Sequence, residues 1–132
     1  MLDHTGIVVT DLALARRFYD AIAGALGLAT ISNGPESFLF GKSAAEPIPY
    51  LWIGTLRPSY WVEGSRAGIN QMHVAFRAGS EAMVQAFHAA GLAAGGRDHG
   101  PPGPRDGVPG YYGAFLLDPD GNNIEACYRS NF

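Results

Sequence analysis

The chain has 132 residues, 47% of them hydrophobic and 16% charged, with a formal net charge of -3. That is enough for one domain with a core of its own, and with Lys42 the only lysine nothing draws it to nucleic acid or an anionic membrane. A single cysteine, Cys127, excludes an internal disulfide framework, no apolar run approaches the roughly 20 residues of a membrane span, and no signal peptide is visible, so a cytoplasmic protein is expected.

In chain order, residues 2–9 read as a strand with Thr5, Ile7 and Val9 on one face and His4, Gly6 and Val8 on the other. Asp11 is placed to cap a helix from Leu12 to about Leu26, with Leu14, Phe18, Ile22 and Leu26 as its apolar stripe and Gly27 as its stop. Short β-like runs follow at 28–31, 37–40 and 49–54. Residues 55–70 form a Pro-, Gly- and Ser-rich connector to which Tyr60, Trp61 and Val62 lend some strand character.

The pattern then restarts. Residues 71–77 alternate, with Met72, Val74 and Phe76 on the apolar face and Gln71, His73, Ala75 and Arg77 opposite. Ser80 caps a second helix to about Ala90, striped by Met83, Val84 and Phe87 and stopped by Gly91. The segment 95–110 is too rich in Gly and Pro for an ordinary connection and predicts a long loop carrying Arg97, His99 and Arg105. A hairpin closes the chain around Asp118-Pro119-Asp120-Gly121, a turn whose Pro presets φ and whose Gly accepts positive φ. The same turn accounts for a passing likeness of Asp118, Asp120 and Asn122 to a calcium loop. In the last strand Glu125 shares a face with Asn123 and Cys127, a lone carboxylate in a largely covered strand. Burying such a charge without a partner is costly, so it calls for a positive neighbour.

The two halves repeat each other. His4 precedes Phe18 by the spacing at which His73 precedes Phe87, and Asp11 and Leu14 align with Ser80 and Met83. The order is β-α-β-β-β, twice. An α+β fold is expected, one domain over 1–132 with modules at about 1–56 and 70–132 and a connector at about 57–69. The two halves are expected to share a concave surface carrying His4, His73 and Glu125.

Three stretches give the chain a family resemblance: Asp3 to Val9 with Asp11, Leu12 and Arg17-Phe18-Tyr19; His73 to Phe76; and Phe115 to Glu125. With them the sequence resembles the vicinal oxygen chelate superfamily, which includes glyoxalase I, bleomycin-resistance proteins, fosfomycin-modifying enzymes and extradiol dioxygenases. The resemblance implies paired modules forming a cupped mixed sheet around a divalent metal (Zn, Ni, Mn, Fe or Co). It implies His4, His73 and Glu125 as ligands and a homodimer, sometimes with exchanged modules. Aligning the modules puts Trp52 where glyoxalase I has a further glutamate ligand, which argues against glyoxalase I activity itself and leaves Glu125 as the ligand able to move a proton. The implied function is a metal-dependent lyase, isomerase or transferase acting on an oxygenated small molecule. Trp52, Tyr111 and Tyr112 would wall the substrate, with Arg97, Arg105 and His99 contacting it. The alternatives are an antibiotic-sequestering protein of the bleomycin-resistance type, for which Trp52, Trp61 and Tyr60 are suited, and an extradiol-type dioxygenase.

Overall fold

The computed structural model describes residues 1–69 and 71–131; Asn70 and Phe132, expected at the ends of the connector and of the second module, lie outside them. The elements run β1 (His4–Val8), α1 (Leu12–Leu26), β2 (Ala29–Ser32), β3 (Ser37–Gly41), β4 (Tyr50–Gly54), β5 (His73–Arg77), α2 (Glu81–Ala93), β6 (Arg97–Pro104), β7 (Tyr111–Leu117) and β8 (Asn123–Arg129). They build two four-stranded sheets of identical plan, β1-β4-β3-β2 and β5-β8-β7-β6. In each, the first strand runs parallel to the last and the others are antiparallel. This is the expected α+β fold of two β-α-β-β-β modules. No described helix is long and apolar enough to cross a membrane.

Both helices begin where the caps predict. The Asp11 carboxylate accepts from Leu14 N and the Ser80 hydroxyl from Met83 N, each satisfying an amide the first turn leaves open. Gly27 ends α1 in the left-handed conformation, φ 65°. Helix α1 packs on α2, and each covers one face of its module's sheet, leaving the other face open. Phe18, Tyr19, Ile22, Phe38, Phe40, Val84, Phe87, Leu116 and Ile124 are all but inaccessible and form one core across both modules. Burial of Phe18 or Ile22 contributes about 1.5–3 kcal/mol each. Phe40 and Phe76, 4.8 Å apart between ring centroids, join the two modules at the rim of that core.

Four expectations are corrected. Leu14 is half exposed, and the face α1 buries is instead Ala15, Phe18, Tyr19, Ile22, Ala23 and Leu26, because α1 meets α2 as well as its own sheet. Gly91 lies inside α2 rather than ending it; a Cβ there would stand 2.2 Å from Leu116 Cδ1. The segment 95–110 is no long loop, since β6 pairs with β7 through register shifts at Gly100 and Gly103. As the sheet's edge strand, β6 tolerates prolines whose missing N–H would break an interior ladder. The connector has no strand among residues 55–69. It is held by Arg57, which donates to the carbonyls of Val62 and Ser65 and lies over the Trp61 ring.

Candidate metal and substrate site

Alternation along β8 turns Ile124, Ala126 and Tyr128 to the helix side and Asn123, Glu125, Cys127 and Arg129 to the open side. Register then places Ala75 of β5 and Phe115 of β7 on either side of Glu125. Glu125 is 3% exposed. His73 Nε2 lies 3.3 Å from Oε2, and the Tyr111 hydroxyl donates to Oε1.

The other nitrogen of His73 fixes the tautomer. Nδ1 lies 3.2 Å from the Asn123 carbonyl oxygen, which can only accept, so Nδ1 carries a proton. In a neutral His73, Nε2 therefore presents a lone pair to a carboxylate oxygen. Two acceptors facing each other call for a cation between them or a second proton on the ring. The chemistry of this donor pair fits a divalent metal ion.

Around the pair, burial above all, then the hydrogen bond and charge of Glu125, hold the Tyr111 hydroxyl well above the usual phenol range. Burial and the Glu125 charge likewise push the Cys127 thiol up, which favours the unreactive thiol over the thiolate. Arg105 is committed to the hairpin: it donates to the Pro101 and Gly113 carbonyls and lies 4.6 Å over the Phe115 ring, which in turn neighbours His73. Tyr111 and Arg105 also line a cleft of about 510 Å³ with Glu81, Asp106, Val108 and Tyr112. The Tyr112 hydroxyl is bound by Gln85 of α2, on the helix side of the sheet. Arg97 and His99 stand exposed on β6.

His4 occupies the equivalent open face of the first module. Its ring stacks on Tyr50 at 5.1 Å, and Nδ1 lies 2.6 Å from Asp3 Oδ1, a carboxylate that orients the ring. Trp52 pairs with Gly6 in the register in which Glu125 pairs with Ala75, so Trp52 does stand at the repeat position of Glu125. Its indole lies close against Gly6 and Gly54.

The expected convergence of His4 with His73 and Glu125 does not occur within one chain. Among the described residues no three His, Cys, Asp or Glu side chains are placed to share a metal ion. The reason is topological: each module closes its own sheet, so β1 and β5 are edge strands of different sheets. Sequence reasoning missed Asp3 and Tyr50 as partners of His4 and Tyr111 as a partner of Glu125. Asp3 is adjacent to His4, and Tyr50 occupies the repeat position of Asn123, so both were findable.

The model of the glyoxalase/bleomycin resistance protein/dioxygenase superfamily matches residues 1–126. Among solved structures, a glyoxalase/bleomycin resistance protein from Albidiferax ferrireducens T118 is 36% identical, with 98% of each chain covered and a TM-score of 0.74. A glyoxalase-related enzyme from Fulvimarina pelagi is 20% identical, covering 98% of this chain and 88% of that one, with a TM-score of 0.72. Lactoylglutathione lyase from Agrobacterium tumefaciens is 19% identical, covering 97% and 92%, with a TM-score of 0.66. No curated protein matches significantly. The chain thus belongs to the glyoxalase/bleomycin resistance protein/dioxygenase superfamily.

Proposed function

We propose that this chain is a metal-dependent, glyoxalase-like enzyme acting on a small oxygenated molecule, with a site shared between two copies of the chain. The facing of His73 Nε2 and Glu125 Oε2 at 3.3 Å carries the reading, since a divalent ion reconciles two acceptors that a neutral ring sets against each other. His73 and Glu125 of one copy and His4 of a second would hold the ion. When bound, such an ion supplies Lewis acidity toward adjacent substrate oxygens. This chain's residues do the rest. Glu125 is the candidate base for a proton next to a carbonyl. The Tyr111 hydroxyl fixes the other carboxylate oxygen, and Trp52 and Tyr50 offer an apolar wall from the facing module. Pairing is supported by the two edge strands, β1 and β5, whose open-face residues His4, Gly6, His73, Ala75 and Arg77 are exposed.

Metal content by elemental mass spectrometry tests the reading. About one transition-metal ion per chain is expected, lost in His73→Ala, Glu125→Gln and His4→Ala alike. Protein that carries none and takes up none of Zn, Ni, Mn, Fe or Co would overturn it.

A second reading, an antibiotic-sequestering protein without chemistry, is favoured by the aromatic open face of the first module. There Trp52 beds against Gly6 and Gly54 beside the Tyr50–His4 stack, a surface suited to a planar ligand. Tight binding of such a ligand, indifferent to chelator, would select it.

A further inference from the structure

We infer that Tyr111 is a positioning residue that ties down Glu125 Oε1 and makes Glu125 a one-oxygen donor, and that Gly113 is the gap that allows it. The inference rests on the reading that Glu125 faces a metal ion. Its basis is register. Glu125 stands opposite Phe115, Cys127 opposite Gly113, and Arg129 opposite Tyr111. Tyr111 and Glu125 are thus two rows apart on the open face, and rows on one face are about 7 Å apart. The Tyr111 hydroxyl can reach Oε1 only if its ring lies down along the sheet across the intervening row. That row is Cys127 and Gly113. A Cβ on Gly113 would stand 3.1 Å from Glu125 Oε1 and 3.2 Å from Tyr111 Cε1, tighter than ordinary contact on both sides. From the other direction the Arg129 guanidinium sits 4.1 Å from the Tyr111 ring centroid and holds the ring in place.

The consequence is an asymmetric carboxylate. Oε1 accepts a proton-bearing hydroxyl, and Oε2 alone faces His73. A carboxylate without this partner is free to engage a cation through both oxygens. With it, one oxygen would be offered to a bound ion while the other stays with the Tyr111 hydroxyl.

Cobalt(II) binding to the full chain tests this, by titration calorimetry and by the visible spectrum, in wild type, Tyr111→Phe, Gly113→Ala and Glu125→Gln. Tyr111→Phe keeps the ring and removes only the hydroxyl. It is expected to change cobalt affinity by about tenfold to hundredfold and to weaken the visible absorption per bound cobalt, as the second oxygen raises the coordination number. Gly113→Ala should move both in the same direction, and Glu125→Gln should abolish binding. Unchanged affinity and spectrum in Tyr111→Phe would overturn the inference. If wild type binds no cobalt, the metal reading falls by itself. The Tyr111 assignment is then decided on metal-free protein labelled with carbon-13 at the glutamate carboxyls. The Glu125 resonance, identified by its absence in Glu125→Gln, should shift in Tyr111→Phe, and a stationary resonance would overturn the assignment.

Discussion

The hydroxyl of Tyr19 donates to Oδ2 of Asp118 at 2.8 Å, tying the first helix to the last hairpin across the buried centre of the protein. Asp118 is 1% exposed and also accepts from Asp120 N, Asn122 N and Asn122 Nδ2. Asn122 in turn accepts from Met72 N, at the entrance to β5. A second tie runs beside the first, with Thr10 donating to the Asp120 carboxylate through both its amide and its hydroxyl. The aspartates of this turn thus fasten the second module to the first. A hydrogen bond to a charged acceptor contributes about 1.5–3 kcal/mol. Tyr19→Phe should therefore lower unfolding free energy by about that amount in urea melts, with a larger loss for Asp118→Ala, which orphans several donors at once.

The same bond predicts an alkaline limit. Burial, and then the Asp118 charge, hold the Tyr19 hydroxyl protonated well above the usual phenol range. The unfolded chain releases that proton near pH 10 and the folded chain does not, so the folded state binds more protons above that point. Its stability contribution is complete below about pH 10 and falls as pH rises beyond it. Urea midpoints should drop more steeply between about pH 9 and pH 11 for wild type than for Tyr19→Phe, which has no proton to lose there. Parallel slopes would contradict this account.

Gly91 sets two effects against each other. Alanine is favoured over glycine in a helix interior by about 1 kcal/mol. Yet its Cβ would stand 2.2 Å from Leu116 Cδ1, 3.1 Å from Ile22 Cγ2 and 3.2 Å from Phe18 Cε2, all on fully buried side chains with nowhere to retreat. Overpacking costs about 1–3 kcal/mol. The steric term should win, so thermal unfolding of Gly91→Ala is expected to show a lowered Tm with near-native circular dichroism.

Local chemistry explains what could be read in the sequence. Caps at Asp11 and Ser80, the stop at Gly27 and the Asp118–Gly121 turn each depend on a few adjacent residues, and each is found where expected. Alternation likewise put Glu125 and His73 on one face of one sheet. Gly91 was misjudged because its role is set by Phe18, Ile22 and Leu116, which are remote in sequence. Strand β6 was missed because its glycines and prolines signal a loop wherever an edge position cannot be foreseen. His4 marks the same limit from another side. Alternation tells which face a side chain takes, but not which other face it will meet.

That limit becomes a prediction about assembly. If His4 joins His73 and Glu125 only between copies, single variants should complement one another. A dimer of one His4→Ala chain and one His73→Ala chain has one site with both lesions and one with neither. The intact site combines His73 of the first chain with His4 of the second. Chains refolded together in equal amounts should therefore recover about one quarter of the wild-type metal sites, half of the dimers being mixed and each mixed dimer holding one good site of two. Each variant refolded alone should recover none. A site built within one chain gives no recovery on mixing, because every chain then carries its own lesion. Metal content of the mixture, with sedimentation to establish the dimer at micromolar concentration, decides between the two arrangements.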